Sequence, residues 1–213
     1  MKRFPLGISG DWLSPADCHF PSTVMQDWLL HTGSLTERLQ EQCRDFKVTV
    51  LGQGAEPISK DEATALYGEH DTEQQTQVRE VILHGDGIPW VFARSLLPAA
   101  FVDNCMSEFN ALGSRPLGQI LFNDARFERQ PFDILFCPKG GVLQRQLSDI
   151  QAFNPELELW GRRSVFSFQE YRLMVIEVFL PEAPAYQLAN CKKAGALNTS
   201  VLGEIARYEG SVK

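Results

Sequence analysis

The chain has 213 residues, 44% of them hydrophobic and 22% charged, ordinary proportions for a globular protein and unlike those of a disordered one. Its formal net charge is −7 and no Lys/Arg-rich run occurs, which argues against a nucleic-acid partner and means that any anion site must be built locally. No stretch is long and apolar enough to span a membrane, and Lys2 and Arg3 have no apolar segment behind them as a signal peptide would, so a cytoplasmic protein without membrane insertion is expected.

The first third reads as helical. Ser22 or Thr23 can cap a helix carrying Val24, Trp28 and Leu29, with Gly33 ending it. Ser34 to Glu37 has capping-box spacing and opens a second helix with Leu35, Leu39 and Cys43 on one side; Ser59 to Glu62 repeats the pattern after a short β-prone run, Lys47 to Leu51. The centre predicts a hairpin: Gln77 to His84 and Pro89 to Leu97 are rich in Val, Ile and Leu, and Gly85-Asp86-Gly87 between them supplies turn chemistry. A helix over Phe101 to Leu112 follows, stopping at Gly113, and Pro116 opens a short one reaching Phe122.

Residues 123–158 are the least legible. Gly140-Gly141 and Pro155 predict turns, and Val142 to Ile150 a helix. Strands are expected at Ser164 to Phe168 and Arg172 to Leu180, and the patterning fades beyond Pro184, as in a tail or an extra helix. Hairpin rather than βαβ spacing favours an α+β fold with an antiparallel β-sheet, and no linker divides the chain, so one domain over 1–213 is expected. The five cysteines are scattered with no C-x-x-C, and the four histidines show no ligand-like spacing, so reduced thiols and no metal site are expected.

Strand alternation isolates two charges. Arg79 shares a face with Val81 and Leu83, and Glu177 shares one with Leu173, Val175 and Phe179. A charge in an apolar row needs a partner or a solvated cavity. Three explanations fit: the two pair with each other or with nearby charges, they lie on the solvent side of their strands, or they mark an interior polar site. In the third case the planar fork of Arg79 suits a carboxylate, and the site suits a small anion that also carries a hydroxyl. Other features point elsewhere. Trp160-Gly161-Arg162-Arg163-Ser164 reads as a surface turn, Gly85-Asp86-Gly87 is a turn rather than a phosphate loop, and no Gly-x-Ser-x-Gly elbow is present.

A set of ordered motifs resembles the chorismate pyruvate-lyase family over roughly residues 25–186. It comprises Asp27-Trp28-Leu29-Leu30, Ser34-Leu35-Thr36-Glu37-Arg38, Val78-Arg79-Glu80-Val81-Ile82-Leu83, Asp86-Gly87-Ile88-Pro89-Trp90, and Ala93-Arg94. Leu112-Gly113, Pro116-Leu117-Gly118, Leu121-Phe122, Leu159 to Ser164, and Glu177-Val178-Phe179-Leu180-Pro181 follow in order, with Pro184 and Tyr186 near the family's usual end. The resemblance implies a single chorismate lyase-like α+β domain whose helical flaps enclose the ligand. It implies an enzyme that releases pyruvate from chorismate to leave 4-hydroxybenzoate, the aromatic precursor of ubiquinone, without a cofactor and as a monomer.

It also implies a site of Leu35, Arg79, Leu117 and Glu177. Arg79 would hold the ring carboxylate with the main-chain N–H groups of Leu35 and Leu117, and Glu177 would face the ring hydroxyl, to orient it or to assist proton transfer. Family members commonly have Met where this chain has Leu35, a volume-conserving change that leaves the main-chain donor in place. The 123–158 segment and the tail after Tyr186 are longer than usual. The alternatives are a non-catalytic sensing domain of the same fold and a scaffold whose buried charges are structural. Against the sensor, the helices before Lys47 are too few and too acidic for a DNA-binding domain.

Overall fold

The computed structural model describes residues 4–8, 10–69, 75–106, 109, 111–148 and 156–186. In chain order these form β1 (Asp11–Leu13), α1 (Thr23–Leu29), α2 (Leu35–Gln40), β2 (Phe46–Ala55), α3 (Lys60–Tyr67), β3 (Thr76–Gly85) and β4 (Ile88–Pro98). There follow α4 (Ala99–Cys105), α5 (Leu117–Asn123), β5 (Glu128–Arg129), β6 (Asp133–Cys137), α6 (Val142–Ser148), β7 (Leu159–Phe168) and β8 (Tyr171–Phe179). All eight strands join one sheet in the order β1-β6-β7-β8-β4-β3-β2, with β5 beside β7, and every pairing is antiparallel. The α+β antiparallel expectation holds.

Local chemistry accounts for the element starts. Asp86 and Gly87 both take positive φ, 51° and 82°, the backbone that a two-residue hairpin turn requires, and they join β3 to β4. Ser22 and Ser34 cap α1 and α2 by accepting from the N–H groups of Met25 and Glu37. Ser59 caps α3 in a full capping box: its hydroxyl accepts from the Glu62 N–H while Glu62 accepts from the Ser59 N–H. Ser59→Ala is expected to destabilise the protein by about 1 kcal/mol, read as a lower urea midpoint.

Both faces of the sheet are covered. On one, Val78, Ile82, Phe92, Leu96, Met174, Ile176 and Val178 pack with Leu66 of α3 and with Leu143 and Leu147 of α6. Arg94 is buried on this face between Glu62 and Glu80, its Nε and Nη1 each 2.7 Å from a carboxylate oxygen. On the other, Val81, Leu83, Val91 and Phe179 pack with Trp28, Leu29, Leu35 and Leu39 of α1 and α2, while Leu97, Phe166, Leu173 and Val175 pack with Phe101, Leu117 and Leu121 of α4 and α5.

Several boundaries differ from expectation. The helix expected to reach Leu112 ends at Cys105, with Met106 leaving helical geometry at φ −143°. Strand β2 runs on to Ala55, and β1, β5 and β6 are too short for periodicity to register. The largest correction concerns β7. It begins at Leu159, so Trp160 to Ser164 is not a surface turn but sheet interior, paired to β6 on one side and β8 on the other. Its two arginines hid that assignment, because each finds a carboxylate only through the fold. The segment after Tyr186 lies outside the described residues, and so does Cys191; no disulfide links Cys18, Cys43, Cys105 and Cys137.

Candidate active site

Register places the two isolated charges on one face. Arg79 pairs with Ser95 on β4 and Ser95 with Val175 on β8; one step along, Val81 pairs with Ala93 and Ala93 with Glu177. Side chains of paired residues share a face, so Arg79 and Glu177 flank the small side chains of Ala93 and Ser95. Two strand spacings and a two-residue offset separate their Cα atoms by roughly 12 Å. Small residues on the central strand leave a hollow between the two charges. There lies a cavity of about 30 Å³ whose lining includes Thr36, Arg79, Ala93, Ser95, Leu117, Gly118, Val175 and Glu177.

Two helical pairs roof it. Helix α2 covers one side and α5 the other, meeting so closely that a Cβ on Gly118 would lie 3.9 Å from the Thr36 hydroxyl oxygen. Leu117 lines the cavity, whereas the Leu35 side chain packs into the core around α1 and Thr36 is the α2 residue that reaches the lining. Leu35 and Leu117 are each the first residue of a helix, where the main-chain N–H has no intrahelical acceptor.

The charged groups are held very differently. Arg79, 3% exposed, donates to the Gln53 side chain and to the carbonyls of Gly113 and Arg115 in the α4–α5 loop, the last two at 2.7 and 3.3 Å. Burial lowers its pKa. Among the described residues no carboxylate pairs with it, whereas Arg94 has two and Arg162 has one. Glu177 does not pair with Arg79. Its Oε2 accepts from Arg162 Nε at 2.7 Å, and its other oxygen has no hydrogen-bond partner among the described residues. Arg162 Nη1 also donates to the carbonyls of Leu29 and His31, 3.2 and 2.7 Å away, at the end of α1. Each end of the cavity therefore has an arginine that ties a helical flap to the sheet.

Arg162 and the pair Ala93/Ser95 escaped the sequence reading. A signal for the latter was present: along the apolar face of β4, Val91, Ala93, Ser95 and Leu97, the two middle positions are small. A wider, more open surface depression of about 500 Å³ lies beside Tyr67, Pro98, Glu170 and Arg172. It contains neither Arg79 nor Glu177 and no buried charge, so the smaller enclosed cavity is the better candidate.

Gly161 keeps β7 and β8 close at the Glu177 position. A Cβ there would lie 2.6 Å from the Glu177 carbonyl oxygen and 3.2 Å from the Val178 Cα, both backbone atoms that cannot step aside. Gly161→Ala is expected to destabilise the fold by about 1–3 kcal/mol, seen in urea denaturation, and to lower activity by shifting β8.

A single antiparallel sheet with two helical flaps closing over a polar-ended cavity defines an α+β domain built around an enclosed interior site. The same fold, at low identity, is seen in PhnF from Mycobacterium smegmatis (TM-score 0.52, 15% identity, 70% of this chain and 64% of that one). It is seen again in the separately solved effector domain of PhnF (TM-score 0.50, 14% identity, 69% of this chain and 88% of that one).

The chain belongs to the chorismate lyase family, whose model matches residues 9–190. Relatives named probable chorismate pyruvate-lyase are 45% identical in Pseudoalteromonas atlantica, over 88% of this chain and 94% of the relative, and 42% identical in Shewanella amazonensis, over 87% and 95%.

Proposed function

We infer that the protein is a chorismate pyruvate-lyase, a carbon–oxygen lyase that converts chorismate to 4-hydroxybenzoate and pyruvate, supplying the aromatic precursor of ubiquinone. The observation that carries the site assignment is the guanidinium of Arg79: it is buried at one end of an enclosed cavity with no carboxylate partner among the described residues. A buried cation without a counter-ion is expensive, and a substrate carboxylate relieves that expense. Arg79 anchors the ring carboxylate, and the N–H groups of Leu35 and Leu117 at their helix starts add donors. The free oxygen of Glu177 accepts from the ring hydroxyl.

The reaction balances without an added redox partner. The ether C–O bond breaks, its electrons leave with the enolpyruvyl oxygen, a ring proton is lost, and the enol carbon regains a proton to give pyruvate. Aromatisation drives the step. The protein's contribution is to hold the ring so that elimination outruns competing rearrangements, through orientation and fixed dipoles rather than a cofactor.

A cavity of about 30 Å³ admits little more than a water, whereas an apolar cavity that binds benzene is nearer ~150 Å³. Ligand entry therefore requires α2 and α5 to part. The flap ties, Arg79 to the Gly113 and Arg115 carbonyls and Arg162 to those of Leu29 and His31, are the contacts that must yield or rearrange. We read the enzyme as a cytoplasmic monomer; no described helix is long and apolar enough to cross a membrane.

Incubating the pure protein with chorismate in the presence of EDTA tests the reading. Equimolar 4-hydroxybenzoate and pyruvate are expected. Binding without conversion would make it a sensing domain of the same fold, and neither binding nor conversion would leave only a scaffold.

A further inference from the structure

We propose that Arg129 and Arg162 form a second carboxylate subsite, at the Glu177 end of the cavity, that takes the pyruvyl carboxylate of the substrate. The proposal rests on the chorismate reading and deepens it.

Arg162 is fully buried, and Arg129, on β5, is half-buried. Their guanidinium carbons lie 4.6 and 4.3 Å from the centre of the same Phe132 ring, which holds the two cations in one neighbourhood. Arg129 Nη2 donates to the Thr32 carbonyl at 2.6 Å. Each residue keeps one buried nitrogen, Nη1 of Arg129 and Nη2 of Arg162, with no hydrogen-bond partner among the described residues. Buried N–H donors are normally satisfied, so two of them around one aromatic ring call for an acceptor.

The charge count points the same way. Glu177 pairs with Arg162, and Arg129 pairs with no carboxylate among the described residues, so this end of the site carries one surplus positive charge. Burial first, then repulsion from Arg162, pulls the pKa of Arg129 down to about 10, which still leaves it charged at neutral pH. His31, next to Thr32, has its pKa lowered by burial first and then by Arg38 and Arg162.

Substrate chemistry needs such a group in this place. Chorismate carries two carboxylates, and Arg79 accounts for the one on the ring. The enolpyruvyl ether is attached to the ring carbon next to the one bearing the hydroxyl. With the hydroxyl at Glu177, the second carboxylate emerges beside Glu177, away from Arg79. Arg79 and Arg129, neither paired with a carboxylate among the described residues, thus match the two charges of a dianion.

The product lacks the second carboxylate, which provides a clean test. In Arg129→Met, KM for chorismate is expected to rise about ten- to a hundredfold, while the Kd of 4-hydroxybenzoate changes less than twofold; Arg129→Lys should recover part of the loss. Inhibition by pyruvate should weaken in parallel with KM. An unchanged KM, or equal weakening of chorismate and 4-hydroxybenzoate, would overturn the subsite and leave Arg129 as a clamp on Thr32. Should Arg129→Met fail to fold by circular dichroism, Arg129→Gln is read by the same criteria. If the wild-type protein releases no pyruvate from chorismate, the lyase reading itself falls, a result separate from any behaviour of the variants.

Discussion

Replacing Arg79 by methionine is expected to lower kcat/KM for chorismate by a factor of about 10² to 10⁴. A hydrogen bond to a charged group contributes about 1.5–3 kcal/mol, two such bonds hold a carboxylate on the fork, and each 1.4 kcal/mol is roughly tenfold. The loss should appear in 4-hydroxybenzoate binding as well, because the product keeps the ring carboxylate. Methionine fills much of the same length without a charge, so the hollow above Ala93 and Ser95 stays apolar rather than collapsing. The Gly113 and Arg115 carbonyls lose their donor in this variant, which should loosen the α4–α5 loop and raise its protease susceptibility. Near-normal binding of 4-hydroxybenzoate by folded Arg79→Met would remove Arg79 from the site.

Glu177→Ala should be the most damaging single change overall, because it acts on stability and turnover together. It leaves the buried Arg162 without the one carboxylate partner it has among the described residues, and breaking a buried ion pair from one side costs about 3–5 kcal/mol. Glu177→Gln separates the two effects. It keeps an acceptor oxygen for Arg162 and one polar atom for the hydroxyl, so the fold should survive. Turnover is expected to fall by about tenfold, the difference between a charged and a neutral hydrogen bond, with the shape of the pH–rate profile unchanged. The reason is geometric: Oε2 is committed to Arg162, leaving the other oxygen to orient the hydroxyl. A drop of about 10²–10⁴ in kcat with loss of one limb of the profile would instead assign proton transfer to Glu177.

Much of the architecture was legible in residues close together in the chain. The Asp86-Gly87 turn, the serine caps of α1, α2 and α3, and the apolar runs of β3, β4 and β8 are local signals, and each element forms where its signal lies. The failures were also of one kind. The sequence pattern places the start of β7 only at Ser164, because Arg162 and Arg163 look exposed in sequence; in the fold they reach Glu177 and Asp133, 15 and 30 residues away. The helix after Phe101 ended early because an apolar run does not by itself distinguish helix from packed loop.

Alternation was less selective than it first looked. Glu80 on β3 and Arg94 on β4 are as buried as Arg79 and Glu177, on the opposite face of the sheet. Both faces of this sheet are covered, so a charge in an apolar row is not rare here. What separates Arg79 from Arg94 is pairing: α3 delivers Glu62 to Arg94, whereas among the described residues Arg79 meets Gln53 and loop carbonyls but no carboxylate.

By itself, then, the sequence determined the secondary-structure seeds, the antiparallel class and, through motifs in order, the family. Its reach ended where contacts join residues far apart in the chain. Only the tertiary structure decided which buried charges meet a carboxylate and which, among the described residues, do not, because the energy of a buried charge depends on what the fold brings within hydrogen-bond distance of it.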